Sequence, residues 1–471
     1  MKDVLTMAIR MADTKKSGCF LLLALAMVAL PSCKKFVEIE PPPTEVTTAT
    51  VFSDSTAAAS AMTGLYSQMM SSNLFFMNGG LTLLPALSAD ELTRTSPNAS
   101  FDVFTVNAIA PNNSLLQNNL WRSAYGYIYQ CNAIIEGAAK SSSLSPSFKQ
   151  RLIAEARFNR AFCYFYLVNL FGDVPLVAVT DYLINASMPR TQSSAVYAAI
   201  DADLQYAKSY LPAMVTENIQ PTSGAAAAML ARSKLFQKDW AAAEANATTV
   251  INSGLYSLPA NLSMVFVPGS SEIIWQLVPV QPSFNTAEGN VFIPANGTTR
   301  PTYVLTQSLQ NAFDTGDARR TAWIKTTVSN GQSYAFPYKY KERVSTTIGA
   351  PPVEYNVVLR LAEQYLIRAE ARVKQGKLSE ANADLNVTRG RAGLPNVVAT
   401  DDTSCLMAIE KERRREFFAE WGHRWFDLKR TGRADTVLSL TKSGWQPSDA
   451  LYPIPFEEIQ NNPALTQNPG Y

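Results

Sequence analysis

One histidine, His423, occurs in 471 residues. That scarcity excludes most catalytic and metal-binding constellations: a Ser-His-Asp triad or a Cys-His pair would have to use His423, and histidine-based transition-metal sites lack ligands. His423 also sits inside an aromatic-rich helical run, where a general base has poor access to substrate. The five cysteines show no C-x-x-C spacing. Cys131 and Cys163 fall in helical apolar patterns and read as small buried hydrophobes. Neither the phosphate-cradling G-x-x-x-x-G-K-[ST] nor the dinucleotide G-x-G-x-x-G occurs. Charged residues make up only 17% and the net charge is +2, which gives no electrostatic case for nucleic acid. No catalytic residue, metal or cofactor is expected.

Long hydrophobic runs are missing too. The longest, Phe20–Leu30, follows Arg10, Lys15 and Lys16. It is too short for the ~20 residues that span a bilayer but suits the core of a signal peptide. Leu30-Pro31-Ser32-Cys33 then resembles a bacterial lipobox, so residues 1–32 read as a lipoprotein signal peptide and Cys33 as the lipid attachment point. Residues 33–48 read as a flexible tether that cannot be helical through Pro41-Pro42-Pro43.

The densest charge lies in Ala408–Arg430, AIEKERRREFFAEWGHRWFDLKR. Phe418, Trp421, Trp425 and Leu428 recur at spacings of 3, 4 and 3, an aromatic stripe along one helix face. Glu410–Arg414 and Glu420–Arg424 are i,i+4 pairs in the favourable order. The run reads as an amphipathic scaffold helix, bent or broken at Gly422, whose acids and bases satisfy one another.

Earlier helices are expected over Ser55–Met70, with Ser53 or Asp54 as N-cap, over Trp121–Ala139, and over Lys149–Phe171. The last turns apolar nearly all round, as an enclosed helix does, and Gly172 and Pro175 end it. Ser71–Asn119 reads as loop. Ala225–Asn252 and Leu361–Thr388 repeat at an offset of 138 residues: Ala231 meets Ala369, Gln237 meets Gln375, Trp240 meets Leu378 and Ala243 meets Ala381. Each copy reads as a tetratricopeptide-like helical hairpin that buries one face on its neighbour. Between them, residues 257–354 change character. Glu272–Val278 reads as a strand with Trp275 in the core, surrounded by Pro, Gly, Asn, Thr and scattered aromatics, where a rigid frame would present a binding site. Pro453, Pro455, Pro463 and Pro469 keep the tail 451–471 extended along the domain.

Three of these stretches carry a family resemblance. ERRREFFAEWGHRWFDLKR (Glu412–Arg430), AEARFNRAFCYFYLVNLFGDVPL (Ala154–Leu176) and the closing PIPFEEIQNNPALTQNPGY (Pro453–Tyr471) resemble the signatures of the SusD/RagB family of surface nutrient-binding lipoproteins. The resemblance implies a mainly α, SusD-like fold in one domain, 49–471. Its frame of helical hairpins would span about 49–256 and 355–440, with a loop-rich insert and a few short strands at about 257–354. It also implies lipid anchoring on the outer membrane, facing outward, and capture of oligosaccharide. A partner TonB-dependent SusC-like transporter would receive the ligand, with the protein as its lid. Other readings keep the frame but bind peptides, or make it a surface glycosidase or a helical adaptor.

Sugar rings lay their apolar faces on aromatic side chains while their hydroxyls seek amides, arginine and carboxylates. Phe75, Phe76, Asn78, Phe284, Asn285, Asn296, Arg300, Tyr303 and Trp323 offer these groups in expected loops and are the ligand-binding candidates. A glycosidase would need two carboxylates about 5–9.5 Å apart. Asp90-Glu91 and Asp314 with Asp317 are the loop acids available, and the latter pair lacks the ligand ladder of a calcium loop.

Overall fold

Asp54 opens the first long helix, α1 (Ser55–Met70), by accepting hydrogen bonds from the Thr56 and Ala57 amides at 3.0 Å. The computed structural model describes residues 48–471 except 282, 346 and 348. The leader, Cys33 and nearly all of the tether therefore lie outside the described residues. Helices occupy about 53% of the described residues, and residues 51–471 form one compact unit.

The centre is α4 (Pro146–Phe171), capped by Ser145 and started by a proline in its first turn. Every residue from Ala161 to Val168 is buried, because α3 (Ser123–Lys140) and α5 (Ser193–Tyr210) pack along it. Arg160 pins the three together, bonding Asp203 of α5 twice at 2.8 Å and Asn132 of α3 at 2.7 Å. Trp275 is fully buried against Phe158 and Phe162, edge to face at 5.0 and 5.3 Å. Cys131 and Cys163 are buried free thiols. Gly172 ends α4 at φ 74°.

The repeat is real in three dimensions. α6 (Ser223–Phe236) with α7 (Trp240–Ile251), and α8 (Leu361–Val373) with α9 (Leu378–Arg391), form two hairpins. The 138-residue offset carries their turns onto each other: Lys238 (φ 62°) meets Gly376 (φ 73°), both left-handed. Ile367 and Ala371 of α8 pack on Ala231, Leu235, Ala243 and Ala247. Glu244 on α7 accepts from Arg372, Gln375 and Lys377 at 3.0, 2.9 and 2.6 Å. Small residues let the hairpins approach, and the ion pairs fix their register.

Among the described residues, three antiparallel strand pairs complete the frame: β1 (Leu92–Arg94) with β3 (Tyr303–Leu305), β2 (Ile273–Leu277) with β6 (Asn356–Arg360), and β4 (Ile324–Ser329) with β5 (Gln332–Pro337). Asn330 (φ 51°) and Gly331 (φ 77°) make the two-residue turn of the last pair. β2 matches its expectation and is buried throughout, as is β6. The tail also lies along the domain. The Tyr452 amide donates to Leu170, and Asn468 donates to Phe171 and Tyr452. A short helix at Phe456–Asn461 interrupts its extended course.

Three expectations need correction. Ser71–Asn119 is largely structured: α2 (Gly80–Ser88), β1, a helix at Ala99–Thr105 and a π-helical turn at Leu115–Arg122 lie in it. α2 is buried at all nine positions, so it has no amphipathic period to read. Secondly, the break expected at Gly422 is present but starts earlier: α10 (Asp402–Glu416) and α11 (His423–Arg430) are separated by a link with positive φ at Ala419, Trp421 and Gly422 (49°, 45° and 67°), so Phe418 and Trp421 do not lie on a helix.

Thirdly, the expected i,i+4 pairs do not form. Arg414 bonds Asp90 at 2.6 Å, Arg424 bonds Asp90 at 2.8 Å and Glu410 at 3.0 Å, and Glu420 accepts from Arg360 at 2.9 and 3.0 Å. The charges do neutralise one another, but across the fold. Arg319, Arg360, Arg391 and Lys339 meet Asp317, Glu272, Glu412, Glu416 and Glu420 in one buried cluster. It joins the insert, β2, β6 and α9 to α10 and the link that follows it.

Candidate functional site

β1 and β3 share an unequal pair of faces. On the inner side Arg94 lies over the rings of Phe101 and Tyr303, each at 4.9 Å, and donates to the Tyr303 hydroxyl at 2.6 Å. Tyr303 is buried, which pushes its phenol up to about 12 although Arg94 pulls the other way. β5 lies against β3 and leaves an open groove of about 410 Å³, which Arg94 of this aromatic–guanidinium layer helps to line. Thr93, Thr95, Gln307, Gln310, Gln332 and Tyr334 line it, with Arg300 at its rim. Arg300 is exposed, donating to Ser96 at 2.9 Å, and Tyr334 is half-buried, donating to Gln332 at 2.9 Å. Among the described residues lining this groove, none is acidic.

The segment leading into the groove, 279–302, also meets the loop 71–79. Gln281 donates to Ser71, and Asn73 donates to Asn290 at 3.4 Å. A side chain at Gly79, held at φ 87°, would come within 2.9 Å of Ala287. Phe75 and Phe284, one on each segment, are both half-buried. Each follows a non-glycine residue in the left-handed region, Leu74 at φ 64° and Ser283 at φ 68°. Such backbone costs roughly 1–2 kcal/mol per residue and persists where the surroundings hold it.

Of the nine sequence candidates, Phe75, Phe284, Asn296 and Arg300 therefore reach solvent. The other five do not. Phe76 and Trp323 are fully buried, and Asn78, Asn285 and Tyr303 nearly so. Asn78 ties the loop to Met70 at 3.0 Å, Asn285 accepts from the Val353 and Glu354 amides, and the Trp323 indole donates to Leu262 at 3.1 Å. These are groups that hold loops in place, and residue type alone does not distinguish them from groups that greet a ligand. Asn296 is exposed, but its side-chain oxygen is committed to Thr298 and Thr299. Thr93, Gln307, Gln310, Gln332 and Tyr334 escaped the sequence reading. The signal for the last two was the Asn330-Gly331 turn, which marks Ile324–Pro337 as a hairpin.

The acids considered for hydrolysis are structural. Asp314 pairs with Arg415 at 2.7 Å, and buried Asp317 with Arg319 at 2.8 Å. Asp90 is buried, which alone would raise its pKa, yet Arg424 and Arg414 outweigh this and lower it. Glu91 is raised to about 8 by burial and then by Asp90. Because its folded pKa exceeds the unfolded value of 4.5, the folded chain binds the extra proton between these pH values. Its contribution is fully present below pH 4.5 and is lost as pH rises toward 8. Glu91→Gln is thus expected to match the wild type near pH 4 and to exceed it by about 3–5 kcal/mol at pH 8. Urea denaturation at both pH values checks this; an equal difference at the two would contradict it.

Comparisons with known proteins agree with this architecture. A family model described as "SusD family" matches residues 295–471, and a second, "Starch-binding associating with outer membrane", matches residues 49–235. A SusD-like protein from Formosa agariphila is 26% identical over 93% of this chain and 97% of its own. A solved laminarin-binding SusD-like protein is 27% identical, with a TM-score of 0.75 over 88% of this chain and 99% of that one. A SusD superfamily structure from Bacteroides vulgatus shares the fold, with a TM-score of 0.79 at 21% identity over 90% of this chain and all of that one. The chain belongs to the SusD/RagB family.

Proposed function

We propose that the protein captures oligosaccharide at the cell surface without cleaving it. Anchored to the outer membrane through lipid on Cys33, it would pass its ligand to a TonB-dependent SusC-like transporter. The observation that carries the capture is the groove between β3 and β5, where threonines, glutamines, Tyr334 and Arg300 converge. Hydroxyls bond well to amides, hydroxyls and guanidinium, and a ring face offers a partner for the sugar's C–H surface. Acidic pairs suited to general acid–base hydrolysis are not among the groove's lining residues. The starch-binding description of the matching family model and the laminarin-binding relative support a glycan as the ligand.

Affinity electrophoresis of the purified protein in gels containing laminarin, starch or other polysaccharides tests this reading. Retardation by at least one glycan, with no release of reducing sugar, is the expected result. Binding of peptides with no retardation by any glycan would move the ligand class, and turnover of the retarding glycan would make the protein a glycosidase.

A further inference from the structure

A second concavity lies far along the sequence from the groove, in the helical frame. It occupies about 330 Å³ where the first hairpin, α8, α10 and α11 meet, within the size range of small-ligand pockets. One wall is apolar: Leu235, half-buried Trp240, Leu406, and Met407 at 49% exposure. The other is charged, with five cations (Lys238, Lys374, Arg413, Arg430, Arg433) against three acids.

Those acids are already committed. Glu370 takes both oxygens to Arg430 at 2.5 and 2.7 Å, Asp427 accepts from Arg413 at 2.7 Å and Arg430 at 2.8 Å, and Glu410 accepts from Arg424 at 3.0 Å and pairs with Arg433 at 3.3 Å. Donors are left over. Arg413 is 2% exposed, and its Nη1 has no hydrogen-bond partner, an expensive state for a buried cationic group. Lys374 is exposed, its ammonium 6.0 Å from the Trp240 ring, and among the described residues no acid pairs with it or with Lys238. A cleft lined by Arg413, Lys374 and Lys238 together with an apolar wall suits a molecule with both characters.

We propose that this cleft binds a carboxylate carried on an apolar body of amino-acid size, either a free acid or the C-terminal residue of a polypeptide. The carboxylate meets Arg413 and Lys374, and the apolar body lies on Trp240 and Met407. The site is separate from glycan capture and does not depend on it.

Titration calorimetry of the full-length protein tests this with N-acetyl-phenylalanine, Gly-Gly-Phe and the C-terminal amide of each. The acids should bind about tenfold more tightly than the amides, as one charge-assisted contact predicts. Lys374→Glu and Met407→Glu lie at the surface and should fold normally; each should weaken acid binding about tenfold and leave glycan retardation unchanged. Tighter binding of the tripeptide assigns a polypeptide terminus, and tighter binding of the acetylated residue assigns a free acid; both support the site. Acids and amides binding alike, binding that ignores both substitutions, or no binding at all would overturn it.

Discussion

Glu416→Gln is expected to lower the unfolding free energy by about 3–5 kcal/mol, the usual cost of breaking a buried ion pair from one side. Glu416 has no exposed surface and accepts from Arg319 at 2.9 Å, from Arg360 at 2.6 Å, and from Arg391. Burial alone would raise its pKa, but Arg391, Arg360 and Arg319 reverse this and hold it well below the usual carboxylate range. Three guanidiniums thus share this carboxylate, in a place water does not reach, with Asp317 and Glu412 also pairing Arg319, Glu272 and Glu420 also pairing Arg360, and Glu272 also pairing Arg391. A glutamine keeps the shape and removes the charge, leaving the arginines under-compensated and turning an amide N–H toward one of them. The sign in pH follows. A depressed folded pKa contributes stability that is complete above the unfolded value near 4.5 and disappears as pH falls through the folded value. The variant should therefore differ most from the wild type at neutral pH and converge with it in acid. Equilibrium urea denaturation at pH 7 and pH 3 reads both quantities; a loss under about 1 kcal/mol at pH 7 would place this carboxylate among ordinary surface ions.

Gly422→Ala is the second large effect, expected at about 2–4 kcal/mol from left-handed strain plus overpacking. Gly422 sits at φ 67° as the N-cap of α11. A Cβ there would lie 2.8 Å from the Phe426 ring, 2.8 Å from Pro85 Cβ and 3.1 Å from the Leu81 carbonyl. Two of these three atoms belong to α2, so the turn between α10 and α11 is seated directly on a fully buried helix. Gly376→Ala, in the hairpin turn, makes the comparison. It has φ 73° but nothing within 4 Å of a Cβ, so it should cost only the backbone part, about 1–2 kcal/mol. Thermal melts of the two variants side by side separate strain from crowding; equal losses would show that packing on α2 contributes nothing.

The frame was legible because its signals are local. The Ala154–Leu176 run, the 138-residue repeat with its turns at Lys238 and Gly376, and strand β2 all state their structure in periodicity or in residue type. The charge-rich run from Ala408 was legible only in part. Spacing suggested Glu420 with Arg424, whereas the fold gives Glu420 to Arg360 and Lys339, residues 60 and 81 positions away. Helical periodicity carries no information about such partners. The site was the least legible for a related reason. Trp323 and Phe284 are both aromatic residues in the insert, yet one is sealed against Leu262, Phe266 and Lys339 while the other reaches solvent. That difference is set by packing between segments far apart in sequence. The groove residues were missed because glutamine and threonine look alike in a turn, on a strand and at a site.

The most direct test of glycan capture combines substitution with retardation. Arg300→Ala with Tyr334→Ala changes two groove residues that reach solvent, so the far-ultraviolet spectrum and melting point should hold. With the retarding polysaccharide in the gel, the account predicts affinity about tenfold weaker or worse, since loss of one stacked ring or one charge-assisted bond is worth at least about 1.4 kcal/mol. Retardation equal to that of the wild type, in a folded variant, would contradict capture in this groove.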